Sequence, residues 1–231
     1  MLLKGLAMAR TIYSRPEHRN SADIDILVQR PSFDEALEVL RELGYVMSRT
    51  RRHVTFYEQH HFHLVLVNAN NVVIELHWNL SRPEDYCQFD LDGFAARSRS
   101  IELDGVSVRI PSDEDQLLHA ACQSLRHDYS DLRRVLDAAL LLRHGCVDPV
   151  LLSELARRQG MATRLWVLLK LQRAMPPPPE GLDWEKTADL MRAHHLATGL
   201  APLIAGEAAP ESIRNGLESQ NRSLDRFGAL L

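Results

Sequence analysis

No stretch of this 231-residue chain approaches the roughly 20 consecutive apolar residues that a membrane-crossing helix needs. The opening Met1-Leu2-Leu3-Lys4-Gly5 has no basic region followed by a long apolar run, so no signal peptide is evident. Cysteine is scarce: Cys87, Cys122 and Cys146 are odd in number, far apart in sequence and without a Cys-x-x-Cys pair. That excludes a disulfide framework and a thiolate-zinc site, leaves no paired His-Cys arrangement for thiol catalysis, and predicts small core residues in a reducing cytoplasm. Excess charge is also scarce. A formal net charge of −4 argues against a broad face for duplex phosphate. No repeat is visible. What remains, 45% hydrophobic and 25% charged residues, is the composition of an ordinary globular protein, in one large domain or two small ones.

The two halves have different periodicities. From residue 1 to about 110, helix and strand signals alternate, which predicts an α+β domain. Asp23-Ile24-Asp25-Ile26-Leu27-Val28 is the first strong strand, with Asp23, Asp25 and Leu27 on one face and Ile24, Ile26 and Val28 on the other. Ser32-Phe33-Asp34-Glu35 is a capping box for a helix whose inward stripe is Ala36, Leu40 and Leu43, with Gly44 as its stop. Residues 64–67 and 72–78 flank the turn-prone Asn68-Ala69-Asn70-Asn71 and predict a β-hairpin. Ile74, Leu76 and Trp78 share one face of its second strand, and Glu75 and His77 share the other. A strand at residues 106–110 follows a turn at Asp104-Gly105. From residue 111 to 175 the segments are helical: a box at Ser112 to Asp115 opening a helix with Leu118, Ala121, Cys122 and Leu125 inward, then helices at about 131–144, from Asp148-Pro149, and about 162–174. Residues 176–231 begin with a four-proline spacer, hold one firm helix from Trp184 to about Leu196, and end in a mobile tail after Gly206.

The chemistry centres on Asp23-Ile24-Asp25. Carboxylates at i and i+2 of a strand share a face about 6.6 Å apart and can converge on one divalent ion. By itself an Asp-x-Asp tripeptide is common on solvated strands. Three neighbours add weight. Lys4-Gly5 precedes an apolar helix (Leu6, Met8, Ala9, Ile12), where glycine permits close backbone approach and a helix N-terminus favours an anion. Arg19 precedes the aspartates and offers a fork for phosphate oxygens. Glu75 is a charge inside an apolar strand, either solvent-facing or kept for a site.

Leu3-Lys4-Gly5, then Arg19-Asn20-Ser21-Ala22-Asp23-Ile24-Asp25-Ile26-Leu27-Val28, Gly44-Tyr45 and Ile74-Glu75-Leu76-His77-Trp78 together resemble an uncharacterised nucleotidyltransferase family of the polymerase-β-like superfamily. The similarity continues through Pro111 to His119 and Leu132 to Asp137, so it spans about residues 3–170. More distantly, the chain is similar to abortive-infection nucleotidyltransferase-like toxins. The resemblance implies a short mixed β-sheet followed by a helical domain that shapes an acceptor cleft. It implies that Asp23, Asp25 and Glu75 hold metal, two Mg²⁺ ions, with Glu75 also able to act as a base. Lys4, Gly5 and Arg19 then meet the phosphates of an NTP substrate. The implied reaction moves a nucleoside monophosphate to a hydroxyl acceptor: a small molecule, a protein side chain or an RNA end. Two departures favour a competing reading, a non-catalytic module that binds nucleotide or a partner protein. Leu6 stands where the pattern has a second small residue, and only three residues precede Lys4, which shortens the N-terminal strand. A toxin or defence-system component is the third reading.

The remaining polar groups have plainer explanations. His53, His60, His61, His63 and His77 are the richest histidine cluster, and a zinc site would need three or four converging ligands. His61 and His63 can share a strand face with His77 across the hairpin from one of them; a polar strand face near the cleft is preferred, with His77 touching substrate. His119 and His127 read as structural or cleft-lining. Asp137 pairs with Arg133, Arg134 or an arginine in the core. The run Arg49-Thr50-Arg51-Arg52 reads as a solvated loop, with guidance of a triphosphate or a nucleic-acid acceptor as the alternative.

Overall fold

The computed structural model describes residues 1–48, 60–82, 85, 87–126 and 131–174. The basic run Arg49-Thr50-Arg51-Arg52, His53, His127, the proline spacer, the helix from Trp184 and the tail after Gly206 lie outside the described residues.

A four-stranded mixed sheet of order β1-β4-β3-β2 carries the first half. Its strands are β1 (Asp23–Leu27), β2 (Val46–Met47), β3 (His63–Val67) and β4 (Val73–His77). β1 and β4 run parallel, and the other pairs are antiparallel. The β3–β4 hairpin closes as the asparagine-rich turn predicts: Asn68 Oδ1 accepts from the backbone N–H groups of Asn70 and Val72, both at 3.0 Å, a side chain standing in for backbone. The short N-terminal strand survives as an extended piece along β1. Leu2 bridges to Ile26, Leu3 N–H donates to Asp25 O at 2.9 Å, and Leu27 N–H donates to Met1 O at 2.8 Å.

Helix α1 (Lys4–Thr11) follows at once, and α2 (Phe33–Glu42) joins β1 to β2. α2 covers the apolar face of the sheet, burying Phe33, Leu37 and Leu40 against Leu64, Leu66, Ile74, Leu76 and Trp78. Two expectations for α2 fail. Ser32 ends a 3₁₀ turn at φ −95°, ψ 7° and its hydroxyl makes no cap bond, because that backbone does not aim it at the first-turn N–H groups. Leu43 is 66% exposed: the helix stops at Glu42, so the stripe is Phe33, Leu37 and Leu40, with Ala36 packed alongside.

Helix α3 (Leu91–Arg97) and a two-stranded ribbon of β5 (Arg99–Leu103) and β6 (Val106–Ile110) link the halves. The ribbon turns at Asp104 (φ 50°) and Gly105 (φ 83°), both left-handed as a tight hairpin demands. α3 and β5 have no clear sequence signature. β5 is largely exposed, so no apolar alternation marks it.

Four helices complete the described chain: α4 (Asp113–Arg126), α5 (Leu132–His144), α6 (Pro149–Arg158) and α7 (Ala162–Ala174). α4 contacts the other three and is buried from Asp113 to Ser124, far beyond the stripe its sequence suggests, although Leu125 is 36% exposed rather than inward. Its acidic first turn reaches neighbouring segments as well as capping itself. Ser112 Oγ accepts from Asp115 N–H at 3.2 Å, Asp113 accepts from Cys146 N–H at 2.9 Å, and Glu114 accepts from Asp148 N–H at 2.8 Å. Arg97 grips Asp115 with two bonds of 2.9 Å. Cys87 and Cys122 are core residues with sulfurs 3.5 Å apart, whereas Cys146, in the loop after α5, is exposed.

The largest apolar cluster crosses both halves, joining Leu3, Met8, Ile12, Tyr13 and Leu27 to residues of α4, α5, α6 and α7. At its margin Asp137 of α5, 2% exposed, receives Tyr13 Oη at 2.7 Å, Arg19 Nε at 2.8 Å and Arg19 Nη2 at 2.9 Å. Burial opposes the Arg19 charge, but Asp137 outweighs it and raises the guanidinium further; burial and Asp137 together push the Tyr13 hydroxyl up. Asp137 thus has the core arginine as its partner, while Arg133 and Arg134 pair with Asp131.

Two stability outcomes are expected. Arg19→Ala strands a buried carboxylate and lowers unfolding free energy by about 3–5 kcal/mol in urea titration, and Arg19→Lys, lacking the two-pronged fork, recovers only part. A Cβ on Gly5 would lie 2.1 Å from Ser21 Oγ, so Gly5→Ala costs about 1–3 kcal/mol and Ser21→Gly in the same chain restores most of it.

Candidate functional site

The sheet has one apolar face under α2 and one polar face, and the pairing register sets what the polar face contains. Asp25 lies opposite Glu75 across the parallel β1–β4 pair, and Leu27 lies opposite His77. Across the hairpin His77 faces His63 and Glu75 faces Val65. Because side chains alternate along a strand, Asp23, Asp25, Glu75, His77 and His63 all emerge on the same side.

Asp25 is the centre of this group. Its side chain is 3% exposed; Lys4 Nζ lies 2.6 Å from Oδ1, and His77 Nε2 donates to the same oxygen at 2.9 Å. Lys4 also comes within 3.8 Å of Glu75 Oε2, so one ammonium serves two carboxylates from two strands. Glu75 Oε2 lies 3.3 Å from His77 Nε2, and Glu75 Oε1 lies 3.9 Å from His63 Nε2. Burial alone would raise the Glu75 carboxyl. The His77 hydrogen bond, with His63 and Lys4 nearby, outweighs burial and holds it well below the usual carboxylate range. His63 is lowered to about 4, first by burial and then by His77, with Lys4 adding and Glu75 opposing, so its ring is neutral near pH 7. Behind the group His119 of α4 is buried beside Gln123, and burial together with Lys4 and His77 drives it well below the ordinary histidine range. It is a neutral wall.

Asp23 is placed by a short relay. Gly5 presents no side chain, and Ser21 Oγ fills the space where a Cβ would stand. That hydroxyl lies 3.0 Å from Asp23 O and 3.3 Å from Asp23 Oδ1. Ligand atoms of Asp23, Asp25 and Glu75 all lie within 4.8 Å of one another. Oxygens on opposite sides of a Mg²⁺ ion stand about 4.2 Å apart, so this set needs only small side-chain rotations to hold one. The all-oxygen composition also suits magnesium.

Of the residues singled out from sequence, the structure therefore brings together Lys4, Asp23, Asp25, Glu75 and His77, with Gly5 beside them. It places Arg19 against Asp137 and Tyr13, where Nε and Nη2 are both engaged and Nη1 donates to Asn20 O at 2.8 Å. The sequence leaves open whether His61 or His63 stands across the hairpin from His77, and the register makes it His63. Ser21 has no signal beyond lying two residues before Asp23.

No helix among the described residues is long and apolar enough to cross a membrane. No curated protein sequence matches the chain. A family model described as an uncharacterised nucleotidyltransferase matches residues 1–176, a span that contains every residue of the polar face. Its coverage of well over half the chain, together with the paired carboxylates of β1 and β4, leads to one assignment: the chain belongs to this uncharacterised nucleotidyltransferase family.

Proposed function

We propose that the protein transfers a nucleoside monophosphate from an NTP to a hydroxyl acceptor, releasing pyrophosphate, with Asp23, Asp25 and Glu75 holding Mg²⁺. The observation that carries the reading is the convergence of three carboxylates from two parallel strands within 4.8 Å. When bound, Mg²⁺ neutralises the triphosphate and lowers the pKa of the acceptor hydroxyl.

Each residue then has a task that its surroundings support. Asp25, nearly closed off from solvent, anchors the cation charge. Glu75 stays anionic, so it serves as a ligand; a carboxyl held so low is a weak base at neutral pH. Lys4 stands where a cation belongs in the absence of metal, and with a nucleotide bound its ammonium can turn to the β- and γ-phosphates. Gly5 and the start of α1 offer backbone N–H groups beside it. Arg19 keeps the segment before β1 fixed on α5, and any phosphate contact by Arg19 draws on the same fork. His77, between Asp25 and Glu75, orients both and borders the acceptor.

Two outcomes are expected. In a thermal-shift panel of the four NTPs with and without Mg²⁺, at least one nucleotide raises the melting temperature only with metal. Asp25→Asn weakens that shift, and pyrophosphate release falls by about 100-fold or more in Glu75→Gln. No shift with any NTP counts against the proposal, and a metal-dependent shift without pyrophosphate release favours the binding-module reading that Leu6 suggests. Second, Lys4→Met loses a charge-assisted contact and destabilises the metal-free protein by about 1.5–3 kcal/mol. Mg²⁺ then restores more stability to this variant than to wild type, measured by urea titration in chelator and in Mg²⁺.

A further inference from the structure

Beside the carboxylates the polar face holds a second donor set that magnesium chemistry does not explain. His63 and His77 are direct cross-strand partners with ring centroids 4.9 Å apart. Glu75 faces both, through Oε2 at 3.3 Å from His77 Nε2 and through Oε1 at 3.9 Å from His63 Nε2. Ligand atoms of these three residues again lie within 4.8 Å of one another. Ligands around a tetrahedral ion with bonds of about 2.0–2.1 Å stand about 3.4 Å apart, which the Glu75 Oε2–His77 Nε2 separation matches; His63 Nε2 faces the carboxylate's other oxygen, so side-chain rotation is needed to bring all three residues onto one ion.

Both rings turn Nε2 toward Glu75, while Nδ1 of His77 and Nδ1 of His63 are buried and meet no hydrogen-bond partner among the described residues, so the polar contacts of both rings run through the atom that would ligate. The Lys4 ammonium stands 2.6 Å from Asp25 Oδ1 and 3.8 Å from Glu75 Oε2, while His63 faces the carboxylate's other oxygen, Oε1. Imidazole nitrogen suits zinc-like ions, whereas carboxylate oxygens suit magnesium.

We infer that His63, His77 and Glu75 form a seat for a divalent transition ion of the Zn²⁺ and Co²⁺ class, adjacent to the all-oxygen set and sharing Glu75 with it. Ligation through Nε2 moves the His77 proton to Nδ1 and replaces the hydrogen bond to Asp25 Oδ1 with the bond to the ion. The seat stands on its own donors, so it outlasts a failure of the nucleotidyl-transfer reading, and it adds to that reading an ion of different chemistry beside the magnesium.

The test is titration of the metal-free full chain with Co²⁺ in excess Mg²⁺, followed by visible ligand-field absorption. One equivalent of Co²⁺ is expected to bind with the intense bands of a four- or five-coordinate ion, and X-ray absorption of that wild-type complex shows two imidazoles. His63 is partly exposed, which makes His63→Ala the milder variant, and it weakens Co²⁺ binding by at least the roughly 10–100-fold that losing an outer-shell partner costs. Asp23→Asn keeps the Co²⁺ spectrum while losing the Mg²⁺-dependent nucleotide shift, which separates the two sites. Displacement of Co²⁺ by Mg²⁺, a wild-type complex without imidazole scattering, or wild-type affinity in His63→Ala overturns the inference.

Discussion

The polar face depends on one constraint: the parallel register that sets Asp25 of β1 directly beside Glu75 of β4. A slip of one residue would turn one strand's carboxylates into the apolar layer beneath α2 and expose Ile24 or Ile74 in their place. The register is held from both sides. The apolar layer of Phe33, Leu37, Leu64, Leu66, Ile74 and Leu76 accepts only one alternation of the strands. On the outer edge, the Met1–Leu3 backbone bonds to Asp25 and Leu27. Placing two buried or half-buried carboxylates side by side is costly without a counter-charge, and Lys4 supplies it within the same short segment that flanks β1. The charges on this face are therefore a product of topology more than of local sequence.

Much of this arrangement was legible in the residues alone. Asp23, Asp25 and Leu27 alternate with Ile24 and Ile26 so cleanly that the two faces of β1 could be assigned, and the asparagine turn fixed the β3–β4 hairpin. Helices α5, α6 and α7 lie where the residues place them, and Asp148 before Pro149 caps α6 through two backbone N–H groups. What stayed hidden was hidden for physical reasons. The buried polar surface of α4 looks like an exposed helix start, because Asp113, Glu114 and Asp115 find their partners only after α3, β5 and the α5–α6 loop have folded against them. Arg19 reads as a phosphate fork because its sequence position says nothing of Asp137, 118 residues away. His63 reads as a polar strand residue because cross-strand neighbours are a property of register, not of spacing.

The glycine after Lys4 shows how one residue type admits two explanations. A phosphate-binding turn wants a small residue there for backbone access, and in this chain the same vacancy is filled by Ser21, whose hydroxyl reaches Asp23. The absence of a side chain at position 5 is thus already in use before any nucleotide arrives. Leu6, the departure from the family pattern, contributes to a small apolar cluster with Leu2, Ala7 and Ile110 instead. The Lys4 ammonium stands at the head of this turn, beside that packing.

Helix α1 is short, and its two ends answer to different parts of the molecule. Lys4 sits at one end, against the sheet carboxylates, while Met8, Ile12 and Tyr13 toward the other end are embedded among α4 to α7. One short helix therefore seats the ammonium on the sheet acids and its apolar side chains in the helical core, so where Lys4 stands over the two carboxylates is set by how that distant core packs.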